Sequence, residues 1–120
     1  MTHKWLLPID GSDTSLNAVR WVTGNSQALR EVPEIHLINV QTVLPSDIGR
    51  FINADTIKEF HLENGMKALA TARDELAAAG LSPTLHVLIG DPASGLTGTL
   101  LGSVAMKVVH HATVPVLLVR

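Results

Sequence analysis

Two stretches of this chain carry residue types suited to holding a ligand. The first, Gly95-Leu96-Thr97-Gly98-Thr99-Leu100-Leu101-Gly102-Ser103, runs without a spacer into Val104-Ala105-Met106-Lys107-Val108-Val109-His110-His111, which has helical spacing. Glycine lets a backbone approach a ligand and turn its N–H groups towards it. The first turn of a helix adds unpaired N–H groups and the positive end of the dipole. Together they suit an anion, most often a phosphate. Ser103 is also an ordinary N-cap, so a glycine loop without a ligand fits the same residues. The second stretch is Asp10-Gly11-Ser12-Asp13-Thr14-Ser15, a polar turn directly after an apolar run. Asp10 in such a turn either meets a ligand or caps the helix that follows.

The elements that would position these stretches follow from the apolar pattern. Trp5-Leu6-Leu7-Pro8-Ile9 is a continuous apolar run, which predicts a strand buried on both faces, with Pro8 near its end. Leu16, Val19, Val22 and Leu29 form a helical stripe, weakened by Gly24-Asn25. Pro33 precedes a second strand, Ile35-His36-Leu37-Ile38-Asn39-Val40. Residues 41–53 read as a loop. A long helix is predicted from Asp55 to Ala79, with Ile57, Phe60, Met66, Leu69 and Leu76 inward and Gly80 closing it. Thr84-Leu85-His86-Val87-Leu88-Ile89 reads as a third strand, ended by Gly90-Asp91-Pro92. A helix from Ser103 to His111 and a last strand, Val114-Pro115-Val116-Leu117-Leu118-Val119, complete the order.

Strands alternating with helices imply an α/β domain, a mostly parallel sheet with helices on both faces, spanning residues 1–120. In such sheets ligands bind beyond the carboxyl ends of the strands. The Asp10 turn, the residues after Val40 and the Gly95–Ser103 stretch are expected to meet there.

Composition excludes several classes. A formal net charge of −2 gives no electrostatic case for nucleic acid or an anionic membrane, and 3% aromatic residues leave little for stacking single-stranded bases. No apolar run reaches membrane-spanning length. The chain has no cysteine, which excludes disulfides and thiol chemistry and fits the cytoplasm. The six histidines show no His-x-x-x-His pair around a carboxylate, so no metal site is expected. No Gly-x-x-x-x-Gly-Lys-Ser/Thr loop is present, and enzymatic turnover, at most weak ATP hydrolysis, is the weakest expectation.

Four ordered motifs resemble the universal stress protein family. They are Leu7-Pro8-Ile9-Asp10-Gly11-Ser12, Gly90-Asp91-Pro92-Ala93, Gly98-Thr99-Leu100-Leu101-Gly102-Ser103-Val104, and His111-Ala112-Thr113-Val114-Pro115-Val116-Leu117-Leu118-Val119. The resemblance implies an adenine nucleotide alpha-hydrolase-like, Rossmann-like fold. It implies ATP or AMP as ligand, with or without Mg²⁺. Pro8, Ile9 and Asp10 match the positions that hold adenine in nucleotide-binding members, and Val40 matches the strand end that closes over the base. Gly102 and Ser103, with the N–H of Val104, match those that grip phosphates. The family's dimers use the last strand, here Val114, Val116, Leu117, Leu118 and Val119.

The sequence departs from that pattern at one place. The family signature is G-x-x-G, nine residues, then G-[ST]; counting back from Gly102 puts its first pair at Ile89 and Pro92. The family's further helix and strand after Gly-Asp-Pro-Ala are missing, because Ala93-Ser94 joins Gly95 directly. A βαβ crossover needs a dozen or more residues, so the missing unit amounts to about two dozen. The alternative implied by that loss is a dimeric interaction module without nucleotide.

Overall fold

The computed structural model describes residues 3–42, 51–90, 117 and 119. Within them the chain runs β1 (Lys4–Pro8), α1 (Asp13–Asn25), a 3-10 turn (Ser26–Ala28), β2 (Glu34–Thr42), α2 (Ala54–Ala78) and β3 (Thr84–Gly90). The strands form one parallel sheet in the order β1-β2-β3. The register pairs Pro8 with Ile38 and Val40 with Leu88. The predicted last helix and nearly all of the last strand lie outside the described residues.

Each helix starts and stops for a local reason. Ser12, extended at φ −79° and ψ 160°, caps α1 by accepting a hydrogen bond from the Ser15 N–H. Asp13 adds a negative charge to the first turn, where the dipole favours it. Asn25 ends the helix by turning its side-chain amide back onto the Trp21 carbonyl, 2.7 Å away. The helical stripe therefore stops at Val22, and Leu29 lies beyond it in extended conformation.

Asn53 caps α2, its side chain accepting from the Asp55 N–H at 2.7 Å. Gly80 ends that helix at φ +81°, a conformation costly to any residue with a Cβ. The Leu81 N–H reaches the Leu76 carbonyl at 2.9 Å and the Gly80 N–H reaches Ala77 at 3.0 Å, the pair of bonds of a Schellman motif.

Both helices pack on one face of the sheet. Leu7, Ile9, Ile35 and Leu37 meet Leu16, Val19 and Val22 of α1 and Leu69, Ala72 and Leu76 of α2 in a single core. The buried line of α2 is His61, Gly65, Leu69, Ala72 and Leu76, so Phe60, expected inward, is instead 48% exposed. The reason is a close approach: a Cβ built on Gly65 would lie 2.6 Å from Cγ2 of Val87. The helix rides so near β3 that glycine and alanine line the contact.

The strands alternate in what they present. Leu7, Ile35 and Leu37 point under the helices, whereas Leu6, His36, Ile38 and Leu88 point to the other face, where Leu6 is 54% exposed. The expectation that the first strand is buried on both faces is therefore corrected. The described helices cover one face only.

Candidate functional site

The carboxyl end of β1 leads directly into the Asp10 turn. Its ladder closes with the Ile9 N–H donating to the Ile38 carbonyl at 2.8 Å. The next acceptor, the Ile9 carbonyl, takes the side-chain amide of the buried Asn39 at 2.8 Å. Gln41 in turn donates to the Asn39 Oδ1. A lone asparagine inside the apolar run Ile38-Asn39-Val40 was the available signal for this anchor, and sequence reasoning missed it. A buried amide is stable only when satisfied, which makes Asn39 a fixed link between the two strand ends.

Past Ile9 the chain turns sharply. Gly11 adopts φ +88°, and an added Cβ there would sit 3.5 Å from Ala68 of α2. The Asp10 Oδ1 accepts from the Ser12 N–H at 2.9 Å and from the Ser12 hydroxyl at 2.5 Å. Ser12 thus receives no freedom to rotate: its oxygen faces the Ser15 N–H at 3.2 Å while its proton goes to Asp10. Partial burial raises the Asp10 carboxyl, but the Ser12 side-chain and backbone bonds, with help from Ser15, outweigh it and leave the group below its ordinary value. Asp10 is exposed and ionised, and no described bond engages its Oδ2.

Of the residues expected to hold a base, Pro8 ends β1, Ile9 is buried beneath it and Asp10 is exposed at the tip. Since Pro8 pairs with Ile38, Asp10 and Val40 each stand two residues further along neighbouring strands. Both therefore lie at the same edge of the sheet. Val40 is half-buried on the face away from the helices. Gly102, Ser103 and Val104 lie outside the described residues, as do Val114, Val116 and Leu118. Leu117 is described and is 64% exposed, and Val119 is half-buried. Among the described residues no three His, Cys, Asp or Glu side chains converge on a point that would cage a metal. No described helix is long and apolar enough to cross a membrane.

A parallel sheet whose first strand ends in an anchored aspartate turn is the arrangement of the adenine nucleotide alpha-hydrolase-like fold, and solved structures match it along nearly the whole chain. The structure of hypothetical protein MJ0577 superposes with a TM-score of 0.72 at 22% identity, covering 99% of this chain and 96% of that one. A universal stress protein in complex with cAMP superposes with a TM-score of 0.62 at 21% identity, covering 98% and 97%. The model of the universal stress protein family matches residues 1–97 and 93–120, and the chain belongs to that family. Universal stress protein YxiE of Bacillus subtilis is 29% identical over 150 residues, covering all of both chains.

These alignments also locate the departure seen in the sequence. The family match is made in two pieces that meet at residues 93–97. The alignment with YxiE runs over 150 positions and this chain has 120 residues, so about 30 positions have no counterpart here. The overlap of the two pieces falls where Ala93-Ser94 runs directly into Gly95.

Proposed function

We propose that the chain binds an adenine nucleotide, ATP or AMP, at the carboxyl edge of its sheet. The observation that carries this reading is the Asp10 turn: an exposed, ionised carboxylate fixed through Oδ1, with no described hydrogen bond on Oδ2, at the same edge as Val40. An acceptor of that kind suits the amino group of a base or the hydroxyls of a ribose. Pro8 and Val40, both half-buried, supply the apolar surround, and Ile9, sealed in the core, anchors the strand end. Gly102, Ser103 and Val104, from the sequence pattern, supply the phosphate contacts. Any Mg²⁺ would arrive with the phosphates. That a family structure was solved with cAMP supports an adenine nucleotide as the ligand class.

Calorimetry with ATP or AMP, with and without Mg²⁺, tests the reading. Measurable heat at millimolar ligand, a rise in melting temperature, and at least tenfold weaker binding in Asp10→Ala are expected. No heat and no thermal shift at that concentration overturn it.

A second reading has its own support. The family match breaks at 93–97, and the first glycine pair of the phosphate signature is replaced by Ile89 and Pro92. A chain lacking that half of the loop fits a dimeric interaction module, pairing through the apolar strand Val114–Val119. Light scattering that finds a dimer, together with silent calorimetry, would establish it. A monomer at micromolar concentration would overturn it.

A further inference from the structure

The face of the sheet away from α1 and α2 carries a side-chain cluster that the nucleotide reading does not use. His36 on β2 and His86 on β3 are diagonal neighbours, because Ile38 is the register partner of His86. The His36 Nδ1 lies 2.9 Å from the His86 Nε2. Their ring centroids are 5.1 Å apart with planes 23° from parallel, so the rings meet through these nitrogens rather than by their faces. On the other side of the His36 ring, Nε2 is 3.2 Å from the Glu34 Oε1. That Nε2 is buried and makes no hydrogen bond. The cluster opens into a depression of about 310 Å³ lined by Lys4, Leu6, Ile38 and Leu88 as well as the two histidines.

We propose that His36 and His86 form a two-imidazole site for a divalent first-row transition cation of the nickel, copper or zinc type. Two nitrogens bound at about 2.0–2.1 Å to one cation with a right-angle bite stand ~2.9 Å apart. The observed separation already has that value, and turning each ring by about 45° off the line between the nitrogens brings both lone pairs onto a common point. The Glu34 Oε1, 3.2 Å from Nε2 but not aligned to accept its proton, is the carboxylate near enough to hold that proton on the far nitrogen once the ring turns towards a cation. In the tautomer protonated at Nε2, the His36 Nδ1 is the lone pair that faces His86. On binding, the proton between the two imidazoles passes to the His86 Nδ1, so that both facing nitrogens present lone pairs of neutral imidazoles. Water completes the coordination from the open side of the depression. The two ligands are fifty residues apart in the chain, so a bound cation staples β2 to β3.

The test is a titration of the full chain with Ni(II), followed by calorimetry and by the melting temperature. The host carries His3→Gln, which removes another exposed imidazole. One site is expected, with a higher melting temperature when loaded. His36→Gln and His86→Gln should each weaken binding at least tenfold, and Glu34→Gln should weaken it less. The double variant His110→Gln/His111→Gln should bind as the host does. Circular dichroism of each variant confirms that it folds. Absence of binding in the folded host overturns the proposal. So does binding that survives both single substitutions, or that disappears with His110 and His111.

Discussion

The two faces of the sheet are made of the same three strands and differ in almost everything else. Beneath α1 and α2, Leu7, Ile35 and Leu37 are sealed among aliphatic side chains, and the buried Asn39 is held by a bond to Ile9. On the opposite face Leu6 and Leu88 stand about half exposed, at 54% and 52%, beside Lys4, His36 and His86. One face is packed for stability, with Asn39 satisfied and the His61 Nδ1 left as a buried nitrogen without a partner among the described residues. The other mixes aliphatic and imidazole groups, which is the mixture that surfaces meeting a ligand or water allow. Alternation along a strand settles which residues share a face. What covers that face is decided by the rest of the chain.

The largest expected effect separates the faces directly. Leu37 is fully buried between the helices and the sheet. Truncating it to alanine removes packed methyl groups and leaves a cavity, which costs about 2–5 kcal/mol. Leu6→Ala on the opposite face should cost less than about 1 kcal/mol. Urea unfolding followed by circular dichroism measures both. Equal losses would show that the second face is packed as tightly as the first, and the contrast would be gone.

A sharper probe lies at the seam between α2 and β3. An alanine methyl at position 65 would fall 3.0 Å from the Val87 Cβ, and that branched carbon cannot yield without moving the strand. Gly65→Ala should therefore destabilise the chain by about 1–3 kcal/mol. This would override the ~1 kcal/mol by which alanine improves on glycine in a helix. Val87→Ala in the same chain should recover part of the loss, a coupling that a double-mutant cycle reads directly. A more stable Gly65→Ala chain would mean that α2 stands further from the sheet than the structure has it.

Which elements would form was legible because each had a local cause. The apolar runs marked the strands, the polar turn Asp10–Ser15 and the glycine at position 80 marked helix ends, and Pro8 fell at the end of its strand as expected, although the cap of α1 is Ser12 and not Asp10. The inward line of α2 was less legible. A search for large apolar residues picks Phe60, whereas the close approach at Gly65 selects small ones and buries His61 next to it in the sequence. At the candidate site, Asp10 could be read from its turn, but Asn39 could not, since its value lies in a bond to a strand thirty residues away. The His36–His86 pair was invisible to spacing rules for the same reason: parallel strands bring together residues that the sequence keeps far apart.

The smallest expected effect belongs to the loop at the edge where the two faces meet. Hydrogen bonds from Ser12 hold the Asp10 carboxyl below its ordinary value in the folded chain. The unfolded chain releases that proton at about pH 4. The contribution of these bonds is therefore complete above that pH and fades as acidification carries the folded carboxyl through its own lower value. Asp10→Ala should cost about 1 kcal/mol at neutral pH, the worth of an exposed charge-assisted bond, and progressively less in acid. Asp10→Asn keeps an acceptor for the Ser12 N–H but has nothing to titrate. Its stability should stay near that of the natural chain at neutral pH while losing the acid-dependent step. If alanine costs the same at both ends of the pH range, the turn is held by Ser12 capping α1 alone. The carboxylate would then be free of structural duty, and its place at the sheet edge would rest wholly on what it binds.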